Sequence, residues 1–137
     1  MRAFIDTNIL IDYLCRRVPF FHAAKAVFAS CYLGKIDIVL SGLSIVNLLY
    51  ICRKQNLEAL KLSLTGLSQY IEIVDLPSTF VIGGLKSEWL DYEDFLQYET
   101  AIANNCDCII TRNTDDFLMS SLPVYNASDF MLTLREG

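Results

Sequence analysis

Short strand-like runs alternate with longer helical patterns along the whole chain. The strand-like runs are rich in aromatic and β-branched residues, and they occupy residues 3–5, 36–40, 71–76, 108–111 and 124–125. Between them, apolar residues recur at helical spacing, as they do at Phe21, Ala24, Val27 and Phe28. Strands that alternate with helices are joined by right-handed crossovers and lie parallel in one sheet. The pattern therefore predicts an α/β fold, a three-layer α/β/α arrangement with a mainly parallel central sheet.

Caps and breakers predict where the helices begin and end. Pro19 ends the first helix, and Gly34 ends a second helix that begins at Phe20. Ser44 is expected to cap the third helix, which would place Asn47 in its first turn. The third and later helices are expected over residues 45–54, 57–70, 79–90 and 92–104, with a last helix from about residue 128.

Length and composition predict one globular domain over residues 1–137. Hydrophobic residues make up 53% of the chain and charged residues 20%, which is typical of a folded core rather than of disorder. No apolar run approaches the roughly 20 residues that span a bilayer. The first residues lack a basic region followed by an apolar run and a cleavage site, so we expect no signal peptide. We therefore expect no membrane association.

The cysteine pattern favours a reducing compartment. There are five cysteines, no C-x-x-C pair and a single histidine, His22, far from the C-D-C segment at residues 106–108. This spacing is poor for zinc, and an odd number of cysteines among apolar residues indicates free thiols. We expect a cytoplasmic location.

Charge is distributed unevenly along the chain. The formal net charge is −5, yet residues 1–61 hold eight of the 11 basic residues and only four of the 16 acids. An acidic part beside a basic part suits a cation site next to a phosphate-binding surface, although ordinary solvated helix faces explain the same distribution.

Asp6 follows the first strand directly and precedes a helix. In open α/β sheets, ligands bind at the carboxyl ends of strands, so an acid at this place is a candidate functional residue. Asp6 is equally well placed to cap the helix that follows. A second set of acids, late in the chain, favours the functional interpretation.

That second set surrounds the fourth strand. Asp91 and Asp94 are three residues apart at the start of a helix, where capping alone explains both. Beyond the fourth strand, polar and acidic residues follow at Thr111, Asn113, Asp115 and Asp116. If the first and fourth strands are neighbours, Asp6, Asp94 and Asp116 converge. Three close carboxylates repel one another unless a cation lies between them, and oxygen ligands alone favour Mg²⁺ or Mn²⁺.

Four segments together resemble the PIN-domain family, and within it the toxin ribonucleases of toxin–antitoxin pairs. These segments are F-I-D-T-N-I-L-I-D-Y-L at residues 4–14, S-I-V-N-L-L-Y-I-C-R-K at 44–54, Y-E-D-F-L-Q-Y-E-T-A-I-A at 92–103 and D-C-I-I-T-R-N-T-D-D-F at 107–117. They cover nearly the whole chain in the order and spacing of the family. The resemblance implies a metal-dependent endoribonuclease that uses Mg²⁺ or Mn²⁺, with RNA as substrate.

By this resemblance Asp6, Asp94 and Asp116 are the catalytic, metal-binding acids. The supporting polar residues are expected to be Asn8, Asn47, Asp91, Thr111, Asn113 and Asp115. The basic residues expected to contact RNA are Arg16, Arg17, Arg53, Lys54 and Arg112, the last of them beside the acids. The expected protein partners are a cognate antitoxin and a second copy of the chain.

One position departs from the family pattern. The helix after the second strand usually carries a glutamate, and here it carries Asn47. We expect Asn47 to face the crevice, where Asp6 or a metal-bound water accepts its NH₂ hydrogens, and to lower the affinity for the ion. Because of this substitution, a PIN-like module that binds RNA or a partner without catalysis is an alternative function.

A phosphatase with an aspartyl nucleophile is a weaker alternative. It needs an acid two residues after Asp6, and the residue there is Asn8.

Overall fold

The computed structural model describes all 137 residues of the chain. It contains five strands: β1 (Arg2–Ile5), β2 (Asp37–Ser41), β3 (Glu72–Val74), β4 (Cys108–Ile110) and β5 (Val124–Tyr125). Every strand pair is parallel, and the order across the sheet is β3-β2-β1-β4-β5. The first and fourth strands are therefore neighbours, and the predicted α/β/α fold with a parallel sheet is confirmed.

Seven α-helices and two 3₁₀ turns connect and cover the strands. The helices are α1 (Thr7–Leu14), α2 (Phe21–Tyr32), α3 (Gly42–Ile51), α4 (Leu57–Leu67), α5 (Ser78–Gly83), α6 (Tyr92–Ala103) and α7 (Ala127–Glu136). The 3₁₀ turns are Gly84–Lys86 and Thr114–Phe117. None of the helices has the length and hydrophobicity needed to cross a bilayer.

The sheet separates two cores because successive side chains of each strand point to opposite faces. Ala3 and Ile5 of β1 belong to the larger cluster, which also takes buried residues from α1, α2, α3, α4 and α7. Phe4, which lies opposite Val39 and Ile109 in the sheet, belongs to the smaller cluster under α6. Both faces of the central strands are buried, which explains their continuous apolar sequence.

Several helix boundaries differ from the sequence prediction, and those of the third and fifth helices bear on the site. The third helix begins at Gly42, with Ser41 as its N-cap, so the prediction that Ser44 caps it was wrong. Ser44 is instead fully buried inside the helix. The helix predicted over residues 79–90 stops at Gly83. A Cβ atom at Gly84 would lie 3.0 Å from the ring of Tyr92, so the glycine permits close packing of this turn against the start of α6.

Candidate functional site

The carboxyl ends of β1 and β4 meet at one edge of the sheet, at the point where the strand order reverses. Asp6 follows β1, and its backbone N donates a 3.0 Å hydrogen bond to the carbonyl of Ile110 at the end of β4. Thr111 follows directly. Ligand sites of doubly wound sheets lie at such switch points. The candidate site is therefore built around Asp6.

Asp6 is buried, with 6% of its surface exposed, and both carboxylate oxygens accept hydrogen bonds. Oδ1 accepts from the backbone N of Thr7 at 2.8 Å and from Nε2 of Gln97 at 3.4 Å. Oδ2 accepts from Oγ1 of Thr111 at 2.8 Å. Burial raises the pKa of Asp6 above its usual value, and these hydrogen bonds oppose that rise. Asp6 also caps α1, so the capping role considered from the sequence is present at a residue that also lines the candidate site.

A buried polar network on the interior side of Asp6 supports its carboxylate. The fully buried Nε2 of Gln97 donates to Oγ of Ser44 at 2.9 Å and lies 3.3 Å from Oγ1 of Thr7. The Thr7 and Ser44 hydroxyl oxygens are 2.7 Å apart. The network links α1, α3 and α6 beneath the site. Because each member fixes the next, the orientation of Asp6 depends on all three helices.

The start of α6 supplies further acids. Asp91 is the N-cap, and its Oδ1 accepts a 2.9 Å hydrogen bond from the backbone N of Asp94. Partial burial, followed by the negative charges of Asp6, Asp91, Asp116 and Glu93, raises the pKa of Asp94 to about 7. The neighbouring negative charges add to the effect of burial, because each of them disfavours the ionised form of Asp94.

These acids line one cleft of about 290 Å³. Its lining includes Asp6, Asp94 and Asp116, the three acids that the sequence analysis selected. The other polar or charged lining residues are Thr7, Asn8, Arg17, Asp91, Glu93 and Asn113, and the apolar ones are Ile11 and Ile51. Asp115, one of the expected supporting residues, lies outside this cleft. It lines a neighbouring cavity with Trp89, Leu90 and Leu118.

Asn47 does not contact Asp6. Because α3 begins at Gly42, Asn47 lies in its second turn rather than its first. Its Nδ2 donates a 2.8 Å hydrogen bond to Oε1 of Glu93. Of the two acceptors expected for Asn47, Asp6 was therefore wrong, and the metal-bound water stays a prediction. Partial burial and the charges of Asp6 and Asp91 raise the pKa of Glu93, and the hydrogen bond from Asn47 opposes the rise.

A family model described as PIN domain matches the sequence over residues 2–115. The chain belongs to the PIN-domain family. The resemblance inferred from the four sequence segments is thereby confirmed. No curated protein matches the sequence.

Several solved structures share this fold. VapBC2 from Rickettsia felis, bound to a promoter DNA fragment, is 20% identical with a TM-score of 0.69, over 92% of this chain and 98% of that chain. A toxin–antitoxin complex from Klebsiella pneumoniae is 24% identical with a TM-score of 0.68, over 91% and 97%. FitAcB from Neisseria gonorrhoeae is 19% identical with a TM-score of 0.65, over 92% and 98%. At these identities the likeness shows a shared fold.

The five basic residues expected at the RNA surface lie in different surroundings in this PIN domain. Arg17 lines the acidic cleft. Arg16 approaches the ring of Phe21, and Arg53 stacks on Tyr50 and donates to its carbonyl. Lys54 is exposed just beyond α3. Arg112 does not line the cleft, because its guanidinium forms two hydrogen bonds with the fully buried Asp12, at 2.9 and 3.1 Å, and lies over the ring of Phe20.

Sequence reasoning missed several polar residues of the candidate site and its supporting network, namely Thr7, Ser44, Glu93 and Gln97. Gln97 lies three residues after Asp94 and shares the buried face of α6 with Leu96, Thr100 and Ala101. The sequence signal for Gln97 was a long amide side chain on a helix face of apolar or small residues. Such a side chain, when buried, needs hydrogen-bond partners inside the protein. Its Oε1 is buried and accepts no hydrogen bond.

The donor chemistry of the cleft fits a hard divalent cation. The available ligands are carboxylate and amide oxygens, with no thiol or imidazole among the lining residues, and such oxygens select Mg²⁺ or Mn²⁺. No three His, Cys, Asp or Glu side chains already stand close enough together to hold an ion. The acids therefore share a cleft without forming a finished coordination shell.

Proposed function

We propose that this PIN domain is a divalent-metal-dependent endoribonuclease that acts in the cytoplasm as the toxin of a toxin–antitoxin pair. The observation that carries the proposal is the cleft at the switch point, where the buried Asp6 lies with Asp94 and Asp116. The pKa of Asp94, raised first by partial burial and then by neighbouring carboxylates, supports it, because a cation bound among these acids would stabilise their ionised forms.

The residues of the cleft, and those that support them, have different roles in the proposed hydrolysis of a phosphodiester. Asp6, Asp94 and Asp116 would hold Mg²⁺ or Mn²⁺, which when bound supplies charge stabilisation at the phosphate and activates a water. Thr111 and Gln97 fix the Asp6 carboxylate through its two oxygens. Arg17 adds the one positive side chain of the lining and would attract the RNA phosphate. Asn8 bridges α1 to the segment after β4, since its Oδ1 accepts from the backbone N of Arg112.

An antitoxin partner and a second copy of the chain belong to the same proposal. The support is structural, because one of the solved structures that share this fold is a toxin–antitoxin complex, from Klebsiella pneumoniae. A small reading frame directly upstream of the gene, whose product copurifies with this chain and blocks its activity, would support the assignment as a toxin.

A binding module without catalysis is the second candidate. The observation that favours it is the absence of any three ligating side chains already in position to hold an ion. Such a module would bind RNA through Arg17 and its neighbours without cutting it. The two candidates differ in one measurable property, the metal-dependent appearance of new RNA ends.

The test is incubation of purified protein with a mixed RNA pool, with Mn²⁺ and with EDTA. The variant is Asp6→Asn, and the matched control is Asp37→Asn, which makes the same change at an exposed acid at the start of β2. We expect fragments only with Mn²⁺, from wild type and from Asp37→Asn. RNA that is retained but uncut by wild type would establish the binding module, and equal cleavage by Asp6→Asn would reject the site.

A further inference from the structure

We propose that Glu93 supplies a fourth carboxylate to the metal site and that Asn47 positions it. The proposal rests on the proposed function, because it assigns a further ligand to the same cation. Glu93 lines the cleft together with Asp6, Asp94 and Asp116. Glu93 precedes Asp94 in the first turn of α6, so the same turn positions both carboxylates.

The contact with Asn47 leaves Glu93 free to bind an ion. The hydrogen bond from Asn47 Nδ2 uses Oε1 of Glu93, at 2.8 Å, while Oε2 accepts no hydrogen bond from the protein. A carboxylate that is held through one oxygen has lost most of its rotational freedom, yet the second oxygen can still reach a cation. Ligands held in this way bind metal more tightly because less conformational entropy is lost on binding.

The chemistry of position 47 is explained by the same contact. An amide donates a hydrogen bond to Glu93, whereas a glutamate at position 47 would place a second negative charge against it. Asn47 and Glu93 are 46 residues apart in sequence and face each other across α3 and α6. The fourth carboxylate of the proposed metal site therefore comes from α6, and the amide on α3 holds it in place.

Exchange of the two side chains tests the proposal directly. Glu93→Gln removes the carboxylate, while the double variant Asn47→Glu/Glu93→Gln moves it across the hydrogen bond and keeps the net charge of the wild type. Glu99→Gln is the matched control, because it makes the same change on α6 at a residue outside the cleft. The readout is the Mn²⁺ dissociation constant from calorimetry, with melting temperatures in EDTA to check folding.

We expect Glu93→Gln to weaken Mn²⁺ binding by about tenfold or more, in the range found for groups that orient or complete a metal shell. The exchange variant should recover most of the wild-type affinity, and Glu99→Gln should match wild type. Wild-type affinity in a folded Glu93→Gln variant would overturn the proposal, while loss of binding in Asp6→Asn would leave the proposed function standing. A wild type that binds no Mn²⁺ would reject both.

Discussion

Thr111 donates a hydrogen bond of 2.8 Å from Oγ1 to Oδ2 of Asp6, although the two residues are 105 positions apart in the chain. The same Oγ1 accepts hydrogen bonds from Asn8 at 3.4 Å and from the backbone N of Asn113 at 3.2 Å. A single hydroxyl thus links the ends of β1 and β4 and orients the central acid.

Thr111→Val should weaken Mn²⁺ binding without unfolding the protein. The substitution keeps the shape of the side chain but removes the hydrogen bond that fixes Oδ2 of Asp6. Groups that orient a metal ligand in this way affect metal affinity by about 10- to 100-fold. Calorimetry with Mn²⁺ measures the change. The control is Thr65→Val, at an exposed threonine of α4. Unchanged affinity in Thr111→Val would show that the hydroxyl does not position Asp6.

Asp6→Asn should abolish cleavage and leave the melting temperature in EDTA equal or higher. An asparagine can still cap α1. The substitution also removes a buried carboxyl group whose pKa is raised by burial, so no negative charge has to be buried. Asp6→Ala should instead melt lower, because loss of an N-cap costs about 1 kcal/mol. Differential scanning fluorimetry compares the three proteins. A large fall in melting temperature for Asp6→Asn would mean that the carboxylate is needed chiefly for structure.

The metal-free protein should be more stable at pH 5 than at pH 8. Asp94 ionises near pH 4 in an unfolded chain and at about 7 in the folded protein, chiefly because of its partial burial. Its contribution to stability is therefore fully present below about pH 4 and is lost as the pH rises through about 7. We expect a loss of about 2 kcal/mol between pH 5 and pH 8, allowing for solvent screening.

Chemical denaturation in EDTA at the two pH values measures that loss. Asp94→Asn should reduce the difference, because its side chain cannot ionise. The raised pKa values of Asp6 and Glu93 act in the same direction, so part of the difference should remain. An identical pH dependence in wild type and Asp94→Asn would contradict the assignment to Asp94.

Arg17→Gln should weaken RNA binding and reduce its dependence on salt. Arg17 is the basic residue that lines the acidic cleft, and a contact with one phosphate of single-stranded RNA contributes about 0.7 to the slope of log K against log salt. Fluorescence anisotropy at several salt concentrations, with inactive Asp6→Asn protein as the background, measures both effects. Lys35→Gln, at an exposed residue before β2, is the control.

Arg112→Gln should destabilise the fold rather than act on RNA alone. Asp12 is fully buried, and its salt bridge is with the guanidinium of Arg112, at 2.9 Å. Removal of one partner leaves a buried charge without compensation, which costs about 3 kcal/mol. The double variant Asp12→Asn/Arg112→Gln should recover part of that loss. If Arg112→Gln keeps wild-type stability but loses RNA binding, Arg112 is a nucleic-acid contact after all.

The sequence alone determined the architecture of this protein. The alternation of short apolar runs with helical patterns predicts a parallel sheet, and an acid at the end of the first strand points to its carboxyl edge. Position after strands or at a helix start made these acids candidates, and the resemblance to the PIN-domain family selected Asp6, Asp94 and Asp116 among them. All three line one cleft in the structure. The fold could be predicted because local residue patterns indicate the secondary structure and the order of its elements.

Only the tertiary structure decided which polar groups meet. Ser44 looked like a helix cap and is a buried partner of Gln97, Asn47 contacts Glu93 rather than Asp6, and Arg112 turns away from the cleft to Asp12. These partners lie 46 to 100 residues apart. Their pairing depends on how three helices pack against the sheet, to within a few tenths of an ångström at each hydrogen bond. The spacing of residues along the chain does not indicate that packing, so the hydrogen-bond partners could be identified only in the folded protein.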